Sequence, residues 1–392
     1  MTGKSESPVQ PKPTPRRKAK TPMQHVFITG YPGFIGKQLA LQILVSRPRA
    51  KLTLLVQEKF KSDAQKYVRK LDEKHRSRVN LVTGDVAKMD LGLSGPEIED
   101  LTTTVTHVFH LAAVQHVSVG ESEAIKVNIG GTRNILMLAR EMQVLKRFSY
   151  FSTCYVSGDR IGVITEDELD AGQKFRNTYE KTKYEAERIV RNAMGDLPIS
   201  VFRPSIVIGH SETGEIDRFD GIYSLGILIV TSPISIPVPL PGEGHAPLNL
   251  VPVDYVTKAA IELSTQPAAE GKTFHIVDPN PLSSRHVYEL IAQKAGKKLP
   301  RVALGYSFAR RLLRIPVIER FSRSQAQALD YLNHLAIYNC ANTLFHLNGT
   351  KIMCPQFSSY ADRAIEFVNR SIQRRQAARA LNAPQQKDPF DS

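Results

Sequence analysis

The stretch HVFITGYPGFIGKQLALQIL, residues 25–44, decides how the rest of the chain is read. His25–Ile28 is a short β run, Thr29–Gly36 is a T-G-x-x-G-x-x-G segment, and Lys37–Leu44 has helical periodicity. Glycine is needed where a backbone turns tightly and where no side chain can stand between an amide and a pyrophosphate. The helix that follows offers free N–H groups and the positive end of its dipole. A glycine triplet alone is a weak signal. With a strand before it and a helix after it, this one reads as a dinucleotide phosphate loop, with Thr29, Gly30, Gly33, Phe34, Ile35 and Gly36 around the phosphates.

Outward from this loop, β runs recur at Lys51–Gln57, Arg78–Val82, Val105–Leu111, Arg147–Ser152, Ile199–Ile208 and Lys272–Val277. Helical segments lie between them, including Ala124–Glu141 and Tyr255–Leu263. Strands alternating with helices predict an α/β fold, a doubly wound parallel sheet of the Rossmann kind. Its ligand belongs at the carboxyl edge of the strands. From about residue 211 the alternation weakens, which predicts a smaller, mainly helical C-terminal part that caps the substrate. The expected divisions are a disordered basic arm (1–22), a Rossmann core (23–210), an apolar loop or lid (211–250), a returning helix and strand (251–280), capping helices (281–375) and a polar, frayed tail (376–392).

The chain has 392 residues, 42% hydrophobic and 23% charged, enough for a large core. Its first residues lack the apolar run of a secretory signal. The uncharged stretch Gly221–Gly242 contains Pro233, Pro237, Pro239 and Pro241, which a spanning helix would not tolerate. Cys154, Cys340 and Cys354 have no metal-ligand or disulfide spacing, so no metal is expected and a reducing cytoplasm fits. His107 and His110 sit in a core strand rather than a metal site, and His116 or Gln115 could line a substrate pocket.

The net charge of +14 is partly concentrated in Lys4, Lys12, Arg16, Arg17, Lys18 and Lys20, and again between Arg301 and Arg323. No nucleic-acid recognition motif accompanies these clusters. They read as solubility charge or as peripheral contact with an anionic membrane. Nothing in the sequence sets the oligomeric state.

The fifth strand ends in FSTCYVSG, and downstream comes NTYEKTKYEAE, with Lys183 four positions after Tyr179. Residues i and i+4 share a helix face. A cationic Lys183 would lower the phenol pKa, Tyr179 would give a proton to a carbonyl oxygen, and Thr153 would hydrogen-bond the same oxygen. The flanking charges Glu180, Lys181, Glu185, Glu187 and Arg188 read as a solvated helix face. Cys154 reads as a small buried residue, not a nucleophile, since no base lies near it in sequence. At the end of the second strand Gln57 stands where NAD enzymes place a carboxylate, so NADP(H) is favoured and NAD(H) is the alternative.

Over roughly residues 24–280 the chain resembles the extended short-chain dehydrogenase/reductases. Within them it resembles the male-sterility type, which holds fatty acyl-CoA reductases and thioester-reductase domains. The residues carrying this are TGYPGFIG (29–36), GDVAKMDLGLS (84–94), FHLAA (109–113), VNIGGTRNIL (127–136), FSTCYV (151–156), NTYEKTKYEAE (177–187), FRPSIVIG (202–209), VPVDYVTKAAIEL (251–263) and GKTFHIVDP (271–279). The resemblance implies a Thr153–Tyr179–Lys183 catalytic set, with Lys183 also on the nicotinamide ribose. It implies Asp85 and Val86 beside the adenine, Leu111, Ala112 and Ala113 under the cofactor, Asn128 as a support, and Pro204 and Ile206 on the nicotinamide side. Gln57 departs from the arginine that acyl reductases often carry there. The implied reaction is NAD(P)H-dependent reduction of a fatty acyl thioester, on CoA or acyl-carrier protein, to aldehyde or alcohol. The alternatives are a secondary alcohol/ketone oxidoreductase on a sterol or hydroxyacyl chain, a nucleotide-sugar epimerase or dehydratase, and a non-catalytic dinucleotide sensor.

Overall fold

A computed structural model describes residues 24–115, 120–217, 244–296 and 331–381. The basic arm, His116, the Gly221–Gly242 stretch and the Arg301–Arg323 cluster lie outside these residues.

The strands are β1 (His25–Thr29), β2 (Lys51–Val56), β3 (Val79–Thr83), β4 (His107–His110), β5 (Arg147–Phe151), β6 (Gly162–Ile164), β7 (Ile199–Pro204), β8 (Ile206–Ile208), β9 (Leu250–Pro252), β10 (Thr273–Ile276) and β11 (Ala336–Tyr338). Seven of them form one parallel sheet in the order β3-β2-β1-β4-β5-β7-β10. Central strands such as KLTLLV and RFSYF are buried almost throughout, as expected of a parallel sheet covered on both faces. One face packs on the helices Phe34–Ser46 and Val253–Thr265 through Leu39, Ile43, Val256, Ala260 and Leu263. The other packs on Gly131–Glu141 and Thr178–Asn192 through Ile135, Leu136, Ala186 and Val190. The strand order reverses between β1 and β4, so a crevice at their carboxyl ends is where this architecture places its ligand.

The predicted strand Ile199–Ile208 is two strands. It breaks at Ser205, where β7 leaves the large sheet and β8 pairs in parallel with β9. The Ser205 hydroxyl donates to Asn249 Oδ1 at 2.7 Å, which ties the break to the returning chain. The predicted helix Ala124–Glu141 contains a π-helical stretch, Ile125–Gly130, before the α-helix begins at Gly131. Such bulges re-aim the side chains within them, and Asn128 is one of those.

The C-terminal part is mainly helical, as expected, and short strands tie it to the core. The β8–β9 pair packs with the helices Ser284–Lys294 and Ala361–Leu381 through Ile208, Leu250, Val287, Ile291 and Ile365. β11 pairs with β6, a strand of the N-terminal half. The last helix runs to Leu381, past the expected start of a frayed tail at 376. A buried carboxylate fastens this part down. Glu166 accepts the backbone N–H groups of His275, Asn342 and Thr343 and the hydroxyl of Thr343, at 2.6–3.1 Å.

Candidate active site

The phosphate loop is shaped by what its glycines leave out. Gly30 has φ +83°, and a Cβ there would sit 2.8 Å from the backbone N of Ala112. A Cβ on Gly33 or Gly36 would sit 2.8 or 2.9 Å from the Gly30 carbonyl oxygen. The glycines therefore let β1 approach the loop after β4 and let the helix start close against the turn. Gly33 caps Phe34–Ser46 without a side-chain hydrogen bond, and the first turn holds no acidic residue. The leading N–H groups are left for an anion, so these residues fit a dinucleotide pyrophosphate.

Past the ends of β2 and β3, Gln57 Nε2 donates to Asp85 Oδ2 at 3.0 Å, and Asp85 Oδ1 accepts from Ala87 N at 2.9 Å. Asn134 donates to the carbonyls of Val86 and Lys88, holding this loop on the helix Gly131–Glu141. Leu111, Ala112 and Ala113 follow β4 directly. Ala112 N–H donates to Thr29 Oγ1 at 3.2 Å, which joins the two strand ends at the switch point. Pro204 ends β7 and Ile206 begins β8, beside the break at Ser205.

Thr153 lies just past β5. Its Oγ1 accepts from Tyr155 N at 3.3 Å, and its hydroxyl lies close enough to the Tyr179 phenol to pull that pKa down. Tyr179 is the second residue of the helix Thr178–Asn192, capped by Asn177, whose side chain accepts from Glu180 N at 2.9 Å. Lys183 is buried one turn on. Its ammonium donates to the Phe151 carbonyl at 2.6 Å and to the Tyr150 hydroxyl at 2.9 Å. Asn128 anchors the same helix: it donates to Thr182 Oγ1 at 2.9 Å and exchanges hydrogen bonds with both backbone groups of Val114.

The electrostatics correct one expectation. Burial raises the Tyr179 pKa above the ordinary phenol value, while the Thr153 hydroxyl pulls it down. Lys183 does not lower it. The lysine ammonium faces Tyr150 and Phe151, and burial drops its own pKa to about 7, with Glu187 opposing the drop. Tyr179 is thus a protonated phenol at neutral pH, suited to giving a proton rather than taking one.

A polar chain runs from Lys183 under the loop. Tyr150, pushed well up by burial, has the Thr132 hydroxyl close enough to oppose that rise. Thr132 Oγ1 donates to the Asn128 carbonyl at 2.6 Å and lies 3.1 Å from His110 Nε2. His110 Nδ1 lies 2.7 Å from Thr29 Oγ1. Because Thr132 spends its proton on Asn128, His110 donates from Nε2 and accepts at Nδ1. Burial holds its pKa near 3, so the ring is neutral. Phosphate loop and lysine therefore share one buried network.

Glu180 and Glu187 are not solvated: both are fully buried. Glu187 receives Arg203 at 2.6 Å, Arg191 at 2.9 Å and the Ser152 hydroxyl at 2.6 Å. Burial pushes its pKa up, but Arg203 and these hydrogen bonds overcome that and bring it to about 2. Only Lys181, Glu185 and Arg188 remain at the surface. Tyr179, Lys183, Glu187 and Arg191 recur every four residues, so Glu187 belongs to the inward stripe of Tyr179 and Lys183 and not to the solvated face expected for it. Tyr150, Ser152, Arg203 and Tyr331 gave no comparable signal, since their partners are distant in the chain. Cys154 is buried and donates to the Arg203 carbonyl.

A sequence profile described as male sterility protein, an NAD-binding family, matches residues 28–260. The chain belongs to this family. It is an extended short-chain dehydrogenase/reductase of the type that holds fatty acyl-CoA reductases and thioester-reductase domains, with the framework of an NAD(P)-dependent oxidoreductase. Glycine betaine reductase ATRR of Emericella nidulans is 32% identical over 69% of this male-sterility chain and 22% of its own length. Fatty acyl-CoA reductase wat of Drosophila melanogaster is 27% identical over 62% of this chain and 56% of its own. The chain thus spans from about a fifth to just over half of these curated relatives. Among solved structures, the terminal R domain from the myxalamid PKS-NRPS biosynthetic pathway superposes with a TM-score of 0.76 at 27% identity, covering 89% of this chain and 92% of that one. Among the described residues of the male-sterility chain no helix is long and apolar enough to cross a membrane.

Proposed function

We propose that this protein reduces fatty acyl thioesters, carried on CoA or an acyl-carrier protein, with NADP(H) preferred over NAD(H). The observation that carries this is the Thr153–Tyr179 hydroxyl pair. It lies at the carboxyl end of β5, with Lys183 buried behind it and the open helix start nearby on the same sheet edge. Bound NAD(P)H supplies a hydride to the acyl carbon. Tyr179 gives its proton to the acyl oxygen, and Thr153 holds that oxygen in line. The carbon–sulfur bond then breaks, the carbonyl re-forms, and the hydroxyl proton leaves with the thiolate. Thioester, hydride and the Tyr179 proton have become aldehyde and thiol, and the phenolate takes a proton back from solvent. The NADP(H) preference rests on Gln57, the residue after β2, whose amide is bound to Asp85, standing where NAD enzymes place a carboxylate for the ribose.

The test is oxidation of NADPH or NADH by purified protein with long-chain acyl-CoAs, ketosteroids and UDP-sugars, with the product identified. Turnover with ketones alone would overturn the thioester reading. A kcat/KM no higher for NADPH than for NADH would overturn the cofactor preference. Tyr179→Phe should lower turnover about 10²–10⁴-fold and leave cofactor affinity in a fluorescence titration nearly intact.

A further inference from the structure

Tyr331 belongs to the C-terminal part, yet it touches both segments that carry the candidate catalytic hydroxyls. Its hydroxyl donates to Glu180 Oε1 at 2.8 Å and accepts from Asn177 Nδ2 at 3.1 Å. Asn177 caps the helix and Glu180 is its third residue, so these contacts bracket Tyr179. The other oxygen of Glu180 accepts from Arg176 N at 3.0 Å, which closes the turn from the opposite side. The Tyr331 ring packs edge-on against Tyr155, two residues past Thr153, with centroids 4.5 Å apart. Glu180 is fully buried, and Arg176 at 3.5 Å is its cation. An orienting role in that turn explains why a carboxylate is buried beside Tyr179, where it takes no part in the proposed chemistry.

We propose that Tyr331 is a positioning residue: its hydroxyl sets the first turn of the helix, and with it the direction of the Tyr179 phenol, so that the C-terminal part controls proton delivery. This rests on the reading of Tyr179 as proton donor. Tyr338 supplies the internal control. It too is a tyrosine of the C-terminal part bonded to the core, but its hydroxyl meets Ser157 at 3.2 Å and does not reach the helix.

The experiment compares Tyr331→Phe with Tyr338→Phe, each of which keeps its ring and loses one hydroxyl. Two readouts are taken: hydrogen exchange over residues 177–182, and steady-state kinetics with acyl-CoA and NADPH. Tyr331→Phe should speed exchange in that segment and lower kcat about tenfold to a hundredfold, with KM for NADPH unchanged. Tyr338→Phe should do neither. Equal effects from both variants would reduce Tyr331 to a general docking contact and overturn the proposal, as would unchanged exchange in Tyr331→Phe. If wild type turns over no thioester, the proposed function falls, and the exchange comparison alone still decides the positioning role.

Discussion

The phosphate loop and the helix of Tyr179 place chemical groups at the same sheet edge by opposite means. The loop works by subtraction. Gly30, Gly33 and Gly36 keep side chains away from three close backbone approaches, and Thr29 ties the loop to β4 and the residues after it. The helix works by addition. Its inward stripe carries a phenol, an ammonium, a carboxylate and a guanidinium, each met by residues far away in the chain: Thr153, Tyr150, Arg203 and Glu166. Subtraction makes a shape that can receive a ligand. Addition makes an electrostatic environment that can hold a proton at a chosen atom. The price of the second strategy is buried charge, which is stable only while every partner is present.

The largest expected effect follows from that dependence. Glu187→Gln keeps the size of the side chain but leaves Arg203 and Arg191 without their shared anion. Arg203 is 1% exposed, so its charge has no water to turn to. Breaking a buried pair from one side should cost about 3–5 kcal/mol, read as a lower urea midpoint at constant slope. Glu185→Gln on the same helix breaks an exposed pair with Arg188 and should cost about 0–1 kcal/mol. Equal losses would mean that the inward stripe is no more sensitive than the surface.

This contrast also explains what could be read from the sequence. The doubly wound sheet was legible because near-continuous apolar strands and a strand–glycine–helix signature are local patterns. The glycine loop was legible for the same reason. Thr153, Tyr179 and Lys183 were legible as residue types at fixed spacing, and the structure brings Thr153 onto Tyr179. The direction of Lys183 was not legible, because it depends on Tyr150 and the Phe151 carbonyl across the sheet. Nor was the burial of Glu180 and Glu187, since an i,i+4 run of charges looks alike on either face until the cations opposite it are known. The break at Ser205 was hidden because no glycine or turn pair separates Ile199–Pro204 from Ile206–Ile208. What separates them is Asn249, a partner more than forty residues away.

A smaller effect tests the subtractive side. Gly30→Ala would force a side chain into a φ of +83° with its Cβ 2.8 Å from backbone atoms that cannot swing aside. About 2 kcal/mol of stability should be lost, and cofactor binding should weaken more than stability does, since the loop after β4 must move. Gly95→Ala meets nothing within 4 Å and should leave both unchanged. If Gly30→Ala destabilised the fold but bound cofactor normally, the loop would be a structural turn and not a cradle.

The smallest effect lies where the two regions join. Tyr150 accepts a hydrogen bond from Lys183 and lies near Thr132, which meets His110 and, through it, Thr29. The lysine pKa falls from 10.5 in a solvated chain to about 7 in the fold, burial being the main cause. Between those values the unfolded chain holds a proton that the native state has released, so stability of the cofactor-free protein rises with pH across that window. Lys183→Met should remove this rise. Tyr150→Phe should not remove it but start it earlier, because the ammonium loses an acceptor and sheds its proton at lower pH. A hydrogen bond to a charged group is worth about 1.5–3 kcal/mol, so the onset should move down by about one to two pH units. The measurement is urea unfolding of the three proteins across the window. Groups that titrate alike in all three cancel in the differences. An onset unmoved in Tyr150→Phe would mean that the Phe151 carbonyl alone holds the lysine charge, and that the chain from loop to helix is a packing contact rather than an electrostatic one.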